Sequence, residues 1–204
     1  MLKNIFTKAF VFAIILFVVS CDKDDSPDPE NEEEAITKAV LVVTNTSDNS
    51  SETYNFEVEG HHHDHDDDHT DDGDDDDVDD HEGEHMEVEL ESNSTYLFEI
   101  TFFNESDPSN SIDVTKEIIE EADEHVFFYE LTDSSITIES AAGDTIDSSG
   151  DPIHLKTEWT TTSAAIVDIV AYLIHEPITK TGVSTRTDLG GSTDAEIEFE
   201  AHVE

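Results

Sequence analysis

The residues best suited to chemistry lie in one histidine- and aspartate-rich tract, residues 61–85. Neutral imidazole nitrogens and carboxylate oxygens bind divalent cations, and a dense field of carboxylates raises the local cation concentration. Several histidines are spaced four residues apart, so a locally ordered segment can present two imidazoles, with a carboxylate completing a four-coordinate site. The predicted metal ligands are His61, His62, His63, His65, His69, His81 and His85, together with Asp64, Asp66, Asp68, Asp72 and Glu82.

Zinc or a similar divalent metal fits this donor set best, and copper and nickel would compete for the same imidazoles. Calcium is the alternative, because Asp68, Thr70, Asp72 and Gly73, with Asp79 at the twelfth position, partly match an EF-hand loop. The seven histidines of the tract have no role in calcium coordination, which uses oxygen ligands. We therefore expect a zinc-like ion and retain calcium as the second reading.

The segment His81-Glu82-Gly83-Glu84-His85 matches the H-E-x-x-H signature of zinc proteases. That motif requires a core helix, whereas Gly83 weakens a helix here and a strand pattern begins at Met86. The chain also lacks a nucleophile elbow, a P-loop and a dinucleotide-binding fingerprint. We expect a protein that is not an enzyme.

A second, smaller candidate metal site involves His125 and His175, with Glu121 as an acidic neighbour. Both histidines fall at the ends of predicted strands, where they could face each other across the rim of a β-sandwich. The interpretation that we favour from the sequence is that each is an exposed polar residue at the end of its strand, and the metal site is the alternative.

In the segments that must position these residues, apolar and polar residues alternate with a period of two. The apolar positions include Tyr96, Phe98, Ile100 and Phe102, and turn signals separate about nine such segments. Only residues 114–123 have room for a helical turn or two. This pattern favours an all-β, antiparallel, Ig-like sandwich over residues 36–204. Trp159 is expected to be a core or edge aromatic residue.

The acidic tract falls between strand patterns that end near Val58 and begin near Met86. We expect these two strands to pair as a hairpin, with residues 60–85 as a long inserted loop. Because its like charges are adjacent and its only apolar residue before Met86 is Val78, the loop should be disordered without cations.

The first 20 residues are typical of a lipoprotein signal peptide. Lys3 and Lys8 precede an apolar run, and Val18-Val19-Ser20-Cys21 resembles a bacterial lipobox. Cys21 is the only cysteine in the chain, which favours lipidation over a disulfide or a redox role. Residues 21–35 then form an acidic, flexible tether, in which Lys23-Asp24-Asp25 resembles the surface-export signal of Bacteroidota lipoproteins. We expect outer-membrane anchoring and display on the cell surface, with a periplasm-facing orientation as the alternative.

The charge balance narrows the set of partners. The chain has 8 basic and 53 acidic residues and a formal net charge of −45. A polyanion of this kind repels phosphate backbones, which excludes nucleic acid as a partner.

Several segments resemble a family of small Bacteroidota lipoproteins whose members are often labelled "type 1 periplasmic binding fold superfamily protein". The segments are residues 102–105, 113–129, 173–177 and 182–183, and the resemblance covers most of residues 36–204. It implies a secreted, lipid-anchored β domain in which His125 and His175 fall within family motifs, and it implies no characterised activity. No alternation of strands and helices, as in two-lobed α/β binding proteins, is present in the sequence.

The sequence thus predicts a cell-envelope lipoprotein that captures, delivers or buffers a divalent metal through its His/Asp-rich loop. Location alone suggests an outer-membrane metal importer as a partner. The competing interpretation is a structural or adhesive surface domain whose acidic loop provides solubility.

Overall fold

A computed structural model describes residues 35–58 and 86–204, and these ranges contain ten strands and two short helices. The strands are β1 (Lys38–Asn45), β2 (Ser51–Glu57), β3 (Glu87–Leu90), β4 (Thr95–Asn104), β5 (Ile112–Asp113), β6 (His125–Leu131), β7 (Ile136–Ser140), β8 (Lys156–Thr161), β9 (Ala165–His175) and β10 (Ser192–Val203). The helices are α1 (Thr115–Glu120) and α2 (Arg186–Leu189). Neither helix is long and apolar enough to cross a lipid bilayer.

The strands form two sheets, which confirms the predicted all-β sandwich. The first sheet has the order β2-β1-β4-β8-β7, with β5 added to the end of β4. The second sheet has the order β3-β10-β9-β6, in which β3 runs parallel to β10 and the other pairs are antiparallel.

The nine predicted strands all correspond to strands of the structure. In β4, the alternating residues Tyr96, Phe98, Ile100 and Phe102 are buried, as the period of two requires. The tenth strand, β5, has only two residues, which is too short to show a period.

The core lies between the two sheets and is centred on Trp159. Its indole stacks on Phe98 of the neighbouring strand, with ring centroids 3.8 Å apart, and Tyr129 of the opposite sheet meets it edge to face. The indole N–H donates to the Thr157 hydroxyl at 2.9 Å, so the buried polar edge of the ring is satisfied. The prediction that Trp159 is a core or edge aromatic residue is confirmed, because Trp159 is fully buried in the core.

The prediction that the strands flanking the acidic tract form a hairpin is wrong. β2 pairs with β1 in the first sheet, whereas β3 pairs with β10 in the second. The alternation of apolar and polar residues identifies a strand but does not specify which strand it pairs with. That choice depends on hydrogen bonding to segments that are distant in the sequence. The connection from Val58 to Met86 therefore passes from one sheet to the other.

Helix α1 lies within residues 114–123, where a helical turn or two was predicted, whereas the one-turn helix α2 was not predicted. Ile118 is fully buried, and the Thr115 hydroxyl accepts the Phe102 amide at 2.7 Å, which docks the helix against β4. The chain then turns through residues 121–124 into β6. His125 is thereby placed at the first position of that strand.

Candidate metal centre

Two histidines meet at one end of the second sheet. His125 opens β6 and His175 closes β9, and the antiparallel register of these strands makes them direct partners. Directly opposite residues point to the same face of a sheet. Both side chains are on the inner face, where His125 is 0% and His175 3% exposed.

A carboxylate joins them from the third strand through a β-bulge. The β9–β10 register is interrupted between Thr193 and Ala195, so Asp194 is the additional residue of β10. A bulge re-aims a side chain that strict alternation would place elsewhere. Asp194 and Ala195 are both buried, although they are adjacent in the chain.

The three side chains form a compact group of donor atoms. His125 Nε2 lies 3.5 Å from Asp194 Oδ2, and His175 Nδ1 lies 3.8 Å from Asp194 Oδ1. One donor atom from each residue lies within 4.8 Å of the other two. Tetrahedral zinc, with bonds of about 2.0 to 2.2 Å, separates its ligand atoms by roughly 3.3 to 3.6 Å. The two distances to Asp194 are close to this spacing, whereas the limit of 4.8 Å for the whole group exceeds it, so the side chains would have to rotate to close around an ion.

The hydrogen bond of His125 sets its tautomer. His125 Nδ1 lies 3.1 Å from the carbonyl oxygen of Glu121, and because a carbonyl can only accept, Nδ1 carries the hydrogen. In the neutral ring, the lone pair is then on Nε2, the nitrogen that faces Asp194. Metal-bound histidines commonly donate their other ring N–H to a backbone carbonyl in this way.

His175 has a carboxylate near each ring nitrogen. Nδ1 faces Asp194, and Nε2 lies 3.7 Å from Glu124 Oε2. The side chain of Glu124 is 46% exposed, whereas the side chain of Asp194 is fully buried. His175 therefore separates an interior carboxylate from one at the surface.

The segment between His175 and β10 packs closely against the histidine. A Cβ atom on Gly191, whose φ is +66°, would lie 2.1 Å from the His175 carbonyl oxygen, so only glycine fits there. The Arg186 side chain donates to the Thr193 hydroxyl and to the carbonyl groups of Gly190 and Gly191, at 2.8 to 3.1 Å. These contacts fix the chain just before Asp194.

A buried lysine fixes the turn that precedes His125. Lys180 Nζ donates to the Ala122 carbonyl at 2.5 Å and to Asp147 Oδ2 at 2.9 Å. The Ser148 amide also donates to Asp123 Oδ1 at 2.7 Å. The turn that supplies Glu121 and Glu124 to the site is thus held from two sides.

The structure changes one member of the second candidate site. His125 and His175 lie together and are both buried, so the favoured prediction that each is an exposed strand-end residue is wrong. Glu121 contributes its backbone carbonyl to His125, while the carboxylate of the three-residue group belongs to Asp194. The clue to Asp194 in the sequence was slight: Thr193-Asp194-Ala195 interrupts the alternation that resumes at Ile197.

The main predicted ligands lie outside the described residues. These are His61, His62, His63, His65, His69, His81, His85, Asp64, Asp66, Asp68, Asp72 and Glu82, and the lipidation site Cys21 lies outside as well. The metal-binding and lipidation assignments for these residues remain predictions.

A further group of potential ligands lies on the outer face of the second sheet. Glu87, Glu200 and His202 offer donor atoms within 4.8 Å of one another, and His202 Nε2 is 3.0 Å from Glu200 Oε2. The hydrogen bond to Glu200 is the largest cause of a raised pKa at His202. Because Glu87 is exposed and the other two residues are partly exposed, the group resembles a solvated ion pair more than a metal centre.

Comparison with known proteins adds no assignment, since no protein-family model, no curated protein and no solved structure matches this chain.

Proposed function

We propose that this protein binds a divalent transition metal at the cell envelope and that His125, His175 and Asp194 are its ordered binding site. The observation that carries the proposal is the convergence of two imidazoles and one carboxylate from three strands at one buried point. Imidazole nitrogens and carboxylate oxygens are ligands of divalent transition metals, and here they come from three different strands.

The donor set favours a zinc-like ion over calcium. Calcium takes six to eight oxygen ligands, whereas two of the three donors here are nitrogens. Imidazole and carboxylate together suit zinc and neighbouring transition metals. Two imidazoles, one carboxylate and a water molecule would complete a tetrahedral site.

The acidic tract would act as the collector in this proposal. Its carboxylates concentrate cations, and its seven histidines supply several weak, rapidly exchanging sites. In this proposal, lipidation of Cys21 in the lipobox-like segment would anchor the protein at the outer membrane, where capture, buffering or delivery to an importer would be useful. We propose binding and not catalysis, because the side chains of His125 and Asp194 are fully buried and so inaccessible to a large substrate.

Calorimetric titration with zinc would test the ordered site separately from the tract. The protein to use is the full chain with the seven tract histidines replaced by glutamine, since deleting residues 61–85 would shorten the connection between the two sheets. We expect one zinc ion per chain, with Asp194→Asn weakening the affinity at least about tenfold. His202→Gln, in the group on the outer face, is the matched control and should leave the affinity unchanged.

Three outcomes of the zinc titrations would contradict the proposed ordered site or the proposed metal binding. If the glutamine-substituted chain binds no zinc, the ordered site is not a metal centre. If the natural chain also binds none, the competing reading of a structural or adhesive β-domain with a solvating loop is correct. Zinc binding by the natural chain that is unchanged at pH 5 would indicate carboxylate-only coordination, because free imidazole is largely protonated below about pH 6.5.

A further inference from the structure

His175 belongs to two overlapping groups of potential ligands. The inner group contains His125 and Asp194, and the outer group contains Glu124 and Glu176. In each group, one donor atom from every residue lies within 4.8 Å of the others. His175 is the residue common to both.

The two groups use opposite edges of the same ring. Nδ1 of His175 faces Asp194 Oδ1 at 3.8 Å, and Nε2 faces Glu124 Oε2 at 3.7 Å. The inner group is buried throughout, whereas Glu124 and Glu176 are exposed. A cation arriving from solvent therefore meets the outer carboxylates first, and the imidazole ring separates it from the inner site.

The backbone keeps the outer carboxylates beside the ring. The Glu176 amide donates to the Glu124 carbonyl at 2.7 Å, which continues the pairing of β6 and β9 by one residue. Glu124 and Glu176 precede and follow the paired residues His125 and His175 at the same end of the sheet. Both carboxylates are thus tied to the strand ends that carry the two histidines.

We propose that His175 relays a divalent metal from an outer capture station, formed with Glu124 and Glu176, to the inner site formed with His125 and Asp194. This inference rests on the proposed metal-binding function. A neutral imidazole has one lone pair, so His175 can bind a metal through only one nitrogen at a time. In the outer state Nε2 binds the metal and Nδ1–H faces Asp194. As the metal leaves Nε2, Nδ1 gives its proton to Asp194, and Nε2 takes a proton from solvent at the exposed Glu124. In the inner state Nδ1 and Asp194 bind the metal, and the proton held by Asp194 is released to solvent as the metal binds.

The relay has two measurable consequences. Occupancy of the two stations is mutually exclusive, so the folded domain binds one metal ion and not two. The outer carboxylates also govern how fast the metal is taken up. Attractive charges at the mouth of a site raise association rates by about tenfold or more.

Stopped-flow mixing with Co²⁺ tests these consequences in the full chain with the seven tract histidines replaced by glutamine. The visible absorption of bound Co²⁺ reports both the rate of binding and the final coordination. For Glu124→Gln combined with Glu176→Gln, we expect the association rate constant to fall about tenfold or more. The stoichiometry of one Co²⁺ per chain should stay the same.

Glu117→Gln combined with Glu120→Gln is the matched control, because it removes the same charge from exposed positions of the nearby helix α1. We expect this pair to slow association less than about twofold. Equal slowing in the two double variants, or two Co²⁺ ions bound at once, would overturn the relay. A changed spectrum and faster dissociation, with an unaltered association rate, would also overturn it and make Glu124 a positioning residue. The absence of Co²⁺ binding before any glutamate is changed would refute the proposed function itself.

Discussion

His125 and His175 stack face to face at the end of β6 and β9, with ring centroids 4.8 Å apart and ring planes inclined by 15°. Asp194 lies against both rings, 3.5 Å from His125 Nε2 and 3.8 Å from His175 Nδ1. Under the proposed function, one cation held by these three residues would join β6, β9 and β10 at one point.

The close approach of Gly191 to His175 predicts a strong effect of a single methyl group. In Gly191→Ala, the new Cβ would meet the His175 carbonyl at 2.1 Å, so the chain before Asp194 must move. We expect a loss of about 2 to 4 kcal/mol in the free energy of unfolding, measured by urea denaturation, and weaker metal binding.

Gly182→Ala is the control for Gly191→Ala. Gly182 has a similar φ of +73°, but a Cβ atom there would have no neighbour within 4 Å. Its cost should be limited to backbone strain, about 1 kcal/mol. If the two alanine variants were equally stable, the contact with His175 would have no structural importance.

The ion pair between Lys180 and Asp147 should be important because it is buried. The two side chains are only 7% and 6% exposed, and Lys180 also donates to the Ala122 carbonyl in the turn before His125. Burial would raise the pKa of Asp147, but the hydrogen bond and charge of Lys180, with two backbone amides, lower it overall. We expect Lys180→Ala to cost about 3 kcal/mol or more in urea denaturation, since it leaves Asp147 without its buried counter-ion.

Lys116→Ala provides the comparison for Lys180→Ala. Lys116 also pairs with an aspartate, Asp113, but its side chain is 77% exposed. Removing an exposed pair should change the stability by less than about 1 kcal/mol. Equal losses in the two variants would show that burial does not determine the importance of the Lys180 pair.

His202 should make the stability of the protein depend on pH. Its pKa is raised chiefly by the hydrogen bond to Glu200. Burial opposes this effect, and the charges of Glu87, Glu200 and Glu89 raise the pKa further. Because the folded state binds the proton more tightly, the resulting stabilisation is fully present below the unfolded value of about 6.5. The stabilisation is lost as the pH rises through the pKa of the folded state.

Substitution of Glu200 by glutamine should remove most of this dependence. We expect Glu200→Gln to lower the urea midpoint relative to the natural chain at pH 5.5 and to have little effect at pH 8.5. An NMR titration of His202 should show its pKa falling in the same variant. Glu198→Gln is the control, because Glu198 lies two residues before Glu200 on the same face of β10. A stability difference that was equal at the two pH values would contradict the assignment.

The sequence by itself determined where the strands run and which side chains face the core. Residues such as Tyr96, Phe98, Ile100 and Phe102 reveal their common face because the two-residue repeat is local and repeated. The short helix near Ile118 and the placement of His125 and His175 at strand ends were predictable for the same reason. These features depend only on neighbours along the chain.

Only the tertiary structure decided which strands pair and which carboxylate joins the histidines. β2 and β3 show the same alternation but belong to different sheets, because hydrogen-bonding partners are chosen over long distances along the chain. Asp194 enters the site through a bulge, a local mismatch between two paired strands that one strand alone does not reveal. The proposed metal centre therefore depends on a register irregularity between β9 and β10, which exists only once those strands have paired.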